Sequence, residues 1–113
     1  MPTNKNQLRE DAIALAVYVA GLCDSNGDKS YYFEQMLHAT ATIGSALCSL
    51  KNLREEISIV RRINHAIDAC SELNFASRVL HAQSKLTDDD YKKMSKLIAS
   101  LEKRFIASLS ENV

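Results

Sequence analysis

The sequence predicts an all-α protein folded as an antiparallel, up-down-up-down four-helix bundle, and three observations carry that prediction. From Ser45 to Val113 the chain runs 69 residues without a glycine or proline. Those residues end helices most readily, costing about 1 and about 3 kcal/mol in a helix interior. Apolar residues recur at three- and four-residue intervals along four segments, the spacing that lines up one side of a helix. The breaks between segments are short, and short links lay consecutive helices antiparallel.

The first segment, about residues 7–23, carries Leu8, Ala12, Leu15, Val19 and Leu22 in a single stripe. It stops at Asp24-Ser25-Asn26-Gly27-Asp28, a run of turn formers. The second, about 30–50, puts Phe33, Met36, Leu37, Thr40, Ile43, Leu47 and Leu50 along one side. Its centre, Ala39 to Ala46, is small-chained and includes Gly44 and Ser45, so a neighbouring backbone is expected to approach closely there. Lys51-Asn52-Leu53 is read as a short connection.

The third and longest segment, about 54–85, offers Ile57, Val60, Ile63, Ile67, Cys70 and Asn74 as its principal buried seam. Arg54, Arg61, His65 and Glu72 lie within about 20° of a common line and read as a solvated face. Beyond Glu72, the residues Leu73, Phe75, Ala76, Val79 and Leu80 spread around most of the circumference. A helix that is apolar all round is buried on more than one side. In a four-helix domain the second side is expected to meet another copy of the chain. The fourth segment, about 88–110, opens with Thr87 as cap and Asp88, Asp89 and Asp90 at the positive end of the helix dipole. Tyr91, Met94, Ile98, Leu101, Phe105 and Leu109 follow as its stripe, with Lys103 and Arg104 toward the end where cations are favoured.

At 113 residues the whole chain, 1–113, fits a single domain. Fourteen basic residues balance 14 acidic ones, and the two halves are balanced as well, so the total charge recommends neither a nucleic-acid nor a membrane partner. Cys23, Cys48 and Cys70 are odd in number, widely spaced and set among apolar residues. They read as reduced thiols at packing positions in a cytoplasmic protein. The apolar run Ala12 to Cys23 is short of the ~20 residues a bilayer span needs. Glu10 and Asp11 stand where an export signal wants positive charge.

The residues with chemical potential mostly read as structural. Asp24 to Ser30 alternates oxygen side chains as a calcium loop does, but the required sixth-position glycine is Lys29 and the twelfth-position carboxylate is Gln35. His38, His65 and His81 lack the paired ligand spacing of bundle metal sites and read as surface or boundary residues. A cysteine nucleophile needs an activating base beside it, whereas the three thiols stand at positions that read as packing sites, and no glycine-bracketed elbow presents a serine. No catalytic residue, metal site or cofactor is therefore assigned. Lys92, Lys96 and Lys103 share one face of the last helix, while Arg54, Arg61 and Arg62 flank one side of the third. Brought together in a symmetric assembly, they would make a positive surface for phosphates.

The second half resembles the four-helix bundle proteins encoded in the intervening sequences of bacterial 23S ribosomal RNA genes. That group is related to the accessory variability determinant of diversity-generating retroelements. Ala66-Ile67-Asp68-Ala69-Cys70-Ser71-Glu72-Leu73 is similar to the family's small and apolar run leading to Glu-Leu. Leu86-Thr87-Asp88-Asp89-Asp90-Tyr91 is similar to its Leu, Ser or Thr, acidic run, Tyr. Ala39 to Leu47 resembles its small-residue second helix, although Ala46 and Ser49 stand where Asn and Glu are common in the family. The resemblance implies a homo-oligomer, a pentamer in several relatives, and in the retroelement branch a positive exterior that binds nucleic acid and a reverse transcriptase.

Together these readings predict a non-enzymatic, self-associating interaction module, with RNA, DNA or a nucleic-acid-handling protein as partner. Leu73, Phe75, Ala76, Val79 and Leu80 are its candidate oligomer contacts. Arg54, Arg61, Arg62, Lys92, Lys96 and Lys103 are its candidate nucleic-acid contacts. The alternative is a helical bundle that binds a small molecule or metal, which would need polar groups in the core. Thr40, Asn74 and Glu72 are the side chains on offer for that.

Overall fold

The computed structural model describes residues 5–26, 30–50 and 52–111. They form an all-α four-helix bundle of α1 (Lys5–Asn26), α2 (Tyr31–Leu50), α3 (Glu56–Ala82) and α4 (Asp88–Ser110). Each helix packs against its neighbours around the bundle, α1 on α2, α2 on α3, α3 on α4, and α4 back on α1. The molecule measures 43 × 23 × 19 Å. Its long axis is set by α3, whose 27 residues at about 1.5 Å each span about 40 Å.

The outer helices follow their apolar stripes. Leu8, Ala12, Leu15, Val19 and Leu22 of α1 are all buried, as are Met94, Ile98, Leu101 and Phe105 of α4. α1 reaches three residues past the expected Cys23, taking Asp24, Ser25 and Asn26 into its last turn. Gly27 and Asp28, the rest of that polar break, lie outside the described residues, as do Lys29 and Lys51.

Caps fix the α3–α4 corner. The Leu80 carbonyl accepts from the Lys85 amide at 2.9 Å and the His81 carbonyl from the Ser84 amide at 3.0 Å. This reciprocal pair closes a helix by turning one residue left-handed, and here that residue is Ser84, at φ 59°. α3 accordingly ends at Ala82, short of the expected Lys85. Leu86 then drops into the core, and Thr87 accepts from the Asp90 amide at 3.1 Å to open α4. A stacked pair, His81 over Tyr91 with ring centroids 4.3 Å apart, covers the corner, and the Asp88 carboxylate accepts from His81 Nε2 at 2.7 Å.

The seam of α3 differs from the expected one. Ile57 is 59% exposed and Asn74 is exposed, while the buried line is Ile63, Ala66, Ala69, Cys70, Leu73, Ala76, Ser77 and Leu80. Relative to the reading based on its large aliphatic residues, the buried face is rotated by roughly a quarter turn. The cause is the small side chains. Ala66, Ala69 and Ala76 contribute little to an apolar stripe in sequence, yet all three are buried, as are Ala39 and Ala46 of α2, the helix against which α3 packs. Gly44 is not part of that close approach, because a Cβ built there would meet nothing within 4 Å.

Candidate functional site

The interior offers little chemistry. Ser77 and Ser108 are the buried polar residues among those described, and Ser77 Oγ donates to the Asn74 carbonyl at 2.9 Å. Of the polar side chains expected to reach the core, Glu72 and Asn74 are exposed. Thr40 donates to the Leu37 carbonyl at 2.8 Å. Among the described residues no group of three or more His, Cys, Asp or Glu side chains comes together to hold a metal.

The surface has more relief. Because α2 and α3 approach through alanines, their flanking polar residues wall a furrow between them. Its first stretch is an open hollow of about 400 Å³ lined by Leu53, Ser58, Arg61, Arg62 and His65. Arg62 and His65 continue into the next stretch, where Thr42 and Ser45 face them from α2. The last stretch, about 380 Å³, has His38, Asp68 and Glu72 in its walls. His38 and His65 are therefore exposed furrow residues, and His81 is the half-buried residue of the α3–α4 corner.

Beside the furrow lies an aromatic surface. Tyr32 on α2 and Phe75 on α3 have ring centroids 6.3 Å apart, and Tyr31 meets Tyr32 edge-on at 5.4 Å. Phe75 is 61% exposed and Tyr31 67% exposed. Of the remaining candidate oligomer contacts, Val79 is half-buried, whereas Leu73, Ala76 and Leu80 are fully buried in the subunit's own core. That burial corrects the expectation for these three, since a side chain with no exposed surface has none to offer a second copy. With these three in the core, the apolar excess of α3 beyond Glu72 narrows to Phe75 and the edge of Val79.

The candidate cations divide between two faces. Arg61 and Arg62 stand in the furrow, and Arg54 is exposed just before α3. Lys92, Lys96 and Lys103 are exposed on α4. At 100° per residue they point about 180° away from Met94, Ile98, Leu101 and Phe105, so within one subunit they form a separate outer face.

Two further features escaped the sequence reading. Tyr18 of α1 donates to Asp90 at 2.8 Å and holds the Lys93 ammonium 4.5 Å over its ring. Its phenol is pushed up to about 12, by burial first and then by the hydrogen bond to Asp90. Asp11 and Arg104 join the same two helices through a 2.8 Å ion pair. No sequence signal announces partners on different helices. The cysteines also separate: Cys70 is buried and its thiol is pushed up to about 12, mainly by burial, while Cys23 is half-buried with its thiol pushed up by the same cause. Cys48 is exposed, contrary to its reading as a packing residue, because it points away from the side of α2 that carries Ala39, Ile43 and Ala46.

No protein-family model matches this chain, and no curated protein matches it in sequence. The fold has a counterpart. A crystal structure of a protein with unknown function, from the S23 ribosomal protein family of Bacteroides thetaiotaomicron VPI-5482, superposes with a TM-score of 0.86. The match covers 94% of this chain and 97% of that one at 14% identity. The four-helix architecture is thus shared from end to end with a protein whose residues are largely different.

Proposed function

We propose that the chain is an interaction module without enzymatic activity of its own, a bundle that assembles with copies of itself and engages RNA, DNA or a nucleic-acid-handling protein. The observation that carries self-association is the aromatic surface of exposed Phe75 and Tyr31 joined by half-buried Tyr32. Contiguous aromatic surface is uncommon on a monomer, and Tyr and Phe are enriched where partners meet. Resemblance to the intervening-sequence proteins favours a closed ring, with five copies as its reference number. Three unpaired cysteines are in keeping with a reducing cytoplasm. Among the described residues no helix is long and apolar enough to cross a membrane.

For the nucleic-acid half, support comes from the exposed cations and from the structural neighbour, whose family is named for a ribosomal protein. In a ring each copy repeats Lys92, Lys96 and Lys103, so a face with modest charge per subunit becomes a continuous one. Sedimentation velocity should show an assembly for the natural chain and a smaller species for Phe75→Glu. Filter binding of single-stranded RNA should be strongest at low salt and weaken when the three lysines are reversed to Glu. Identical sedimentation of the two proteins would remove the Phe75 interface, and no retention of RNA or DNA at low salt would remove the nucleic-acid partner.

A further inference from the structure

We infer that the first stretch of the α2–α3 furrow is a binding site for a phosphoryl group. Ser58, Arg61, Arg62 and His65 stand at i, i+3, i+4 and i+7 of α3 and so share one side of the helix, within an arc of about 100°. That spacing normally carries apolar residues when the side is covered by a neighbour. Here it carries donors that line an open hollow of about 400 Å³, a size suited to a phosphate with a small carrier.

None of the four side chains has a hydrogen bond or ion pair to another described residue. Arg104, by contrast, pairs with Asp11 at 2.8 Å. Two guanidinium forks and a hydroxyl, unspent among the described residues, match a tetrahedral anion that accepts on several oxygens at once. Arg62 is half-buried, so less of it is open to water than of a free surface cation. Leu53 supplies an apolar wall against which the carrier of the phosphate can lie.

The rest of the furrow limits what fits. Asp68 and Glu72 line its far stretch, about 5 and 10 Å along the axis from His65. A polyanion laid along the whole furrow would run into those carboxylates, so the geometry favours one compact phosphoryl group at the cationic end. From α2 the facing side chains are uncharged, and the Thr42 hydroxyl is already spent on the His38 carbonyl at 3.1 Å. The site shares Arg61 and Arg62 with the proposed nucleic-acid contacts but needs neither self-association nor a strand.

Isothermal titration calorimetry of the full chain tests it, with inorganic phosphate, adenosine 5′-monophosphate and a single-stranded oligonucleotide lacking terminal phosphates as separate titrants. Saturable binding of the first two is expected. Arg61→Gln and Arg62→Gln should each weaken it about tenfold or more, the effect of losing one charge-assisted contact. Arg78→Gln, exposed on α3 and about 24 Å along the helix axis from Arg62, should leave it unchanged, and circular dichroism should show all three variants folded. If the oligonucleotide displaces adenosine 5′-monophosphate, the natural source of the phosphate is a strand; if it does not, the source is a small phosphorylated molecule. No saturable heat with phosphate or adenosine 5′-monophosphate at millimolar concentration would overturn the site, as would equal binding by the Arg61 and Arg62 variants. In either case oligonucleotide binding lost only on reversing Lys92, Lys96 and Lys103 would leave the nucleic-acid partner standing on α4 alone.

Discussion

Ser84 holds the α3–α4 corner in a conformation that serine resists, and relieving it should stabilise the protein. At φ 59° the Ser84 Cβ crowds its neighbouring carbonyl oxygen, a cost of roughly 1–2 kcal/mol for a residue other than glycine. Glycine removes that cost and keeps both closing hydrogen bonds, which are made by the backbone amides of Ser84 and Lys85. The Ser84 side chain is exposed and has no hydrogen bond to a described residue, so nothing is lost with it. Against the gain stands the greater freedom of glycine in the unfolded chain, about 0.4–1 kcal/mol. The net expectation for Ser84→Gly is about 0.5–1 kcal/mol of added stability, or about 2–4 °C in Tm for a chain of this length. Differential scanning calorimetry reads it, with Ser84→Ala as the comparison that keeps the strain and should gain nothing. An unchanged or lower Tm for the glycine variant would refute the strained-corner argument.

Tyr18→Phe should cost about 0.5–1.5 kcal/mol, the usual worth of a hydrogen bond, measured by urea denaturation. Because folding raises the Tyr18 phenol from 10.0 to about 12, its contribution is complete below about pH 10 and is lost as pH rises through 12. A phenolate absorbance step near pH 12 should therefore be present in the natural protein and absent from Tyr18→Phe. Asp88 behaves in the opposite sense: the hydrogen bond from His81, and then its charge, lower the carboxyl below 3.8, so its contribution holds above that pH and disappears as pH falls through the lowered value. Asp88→Asn should flatten that part of the acid limb in a urea midpoint series, and an unaltered limb would show the pair contributes nothing. With a thiol reagent at neutral pH, Cys48 should react first and Cys23 more slowly, while Cys70 stays protected until the chain unfolds; rapid loss of all three thiols would contradict the burial of Cys70.

The fold was legible because α1 and α4 bury large aliphatic and aromatic residues at regular spacing, and Thr87 with its aspartates marks a helix start without help from tertiary structure. α3 was misread for a definite reason. Its buried face includes Ala66, Ala69 and Ala76, whose value lies in what they leave out, whereas apolar bulk points instead to Ile57 and the rest of the visible stripe. Leu73, Ala76 and Leu80 were expected at a second interface because apolar residues beyond Glu72 spread round the helix, but that spread is a wide inward face that leaves Phe75 outside. At the candidate site, Arg61, Arg62 and His65 were visible as polar residues, but the hollow they line together with Leu53 and Ser58 takes shape only in the folded chain. The Tyr18–Asp90 and Asp11–Arg104 contacts join α1 to α4, a pairing that requires the bundle order before either partner can be guessed.

Static light scattering across a concentration series tests the central claim most directly, that copies of the chain shield the aromatic surface around Phe75. The account predicts a mass that is a whole multiple of the 12.6 kDa chain and that falls toward one chain for Phe75→Glu. A natural protein that stays at 12.6 kDa through the micromolar range would contradict it.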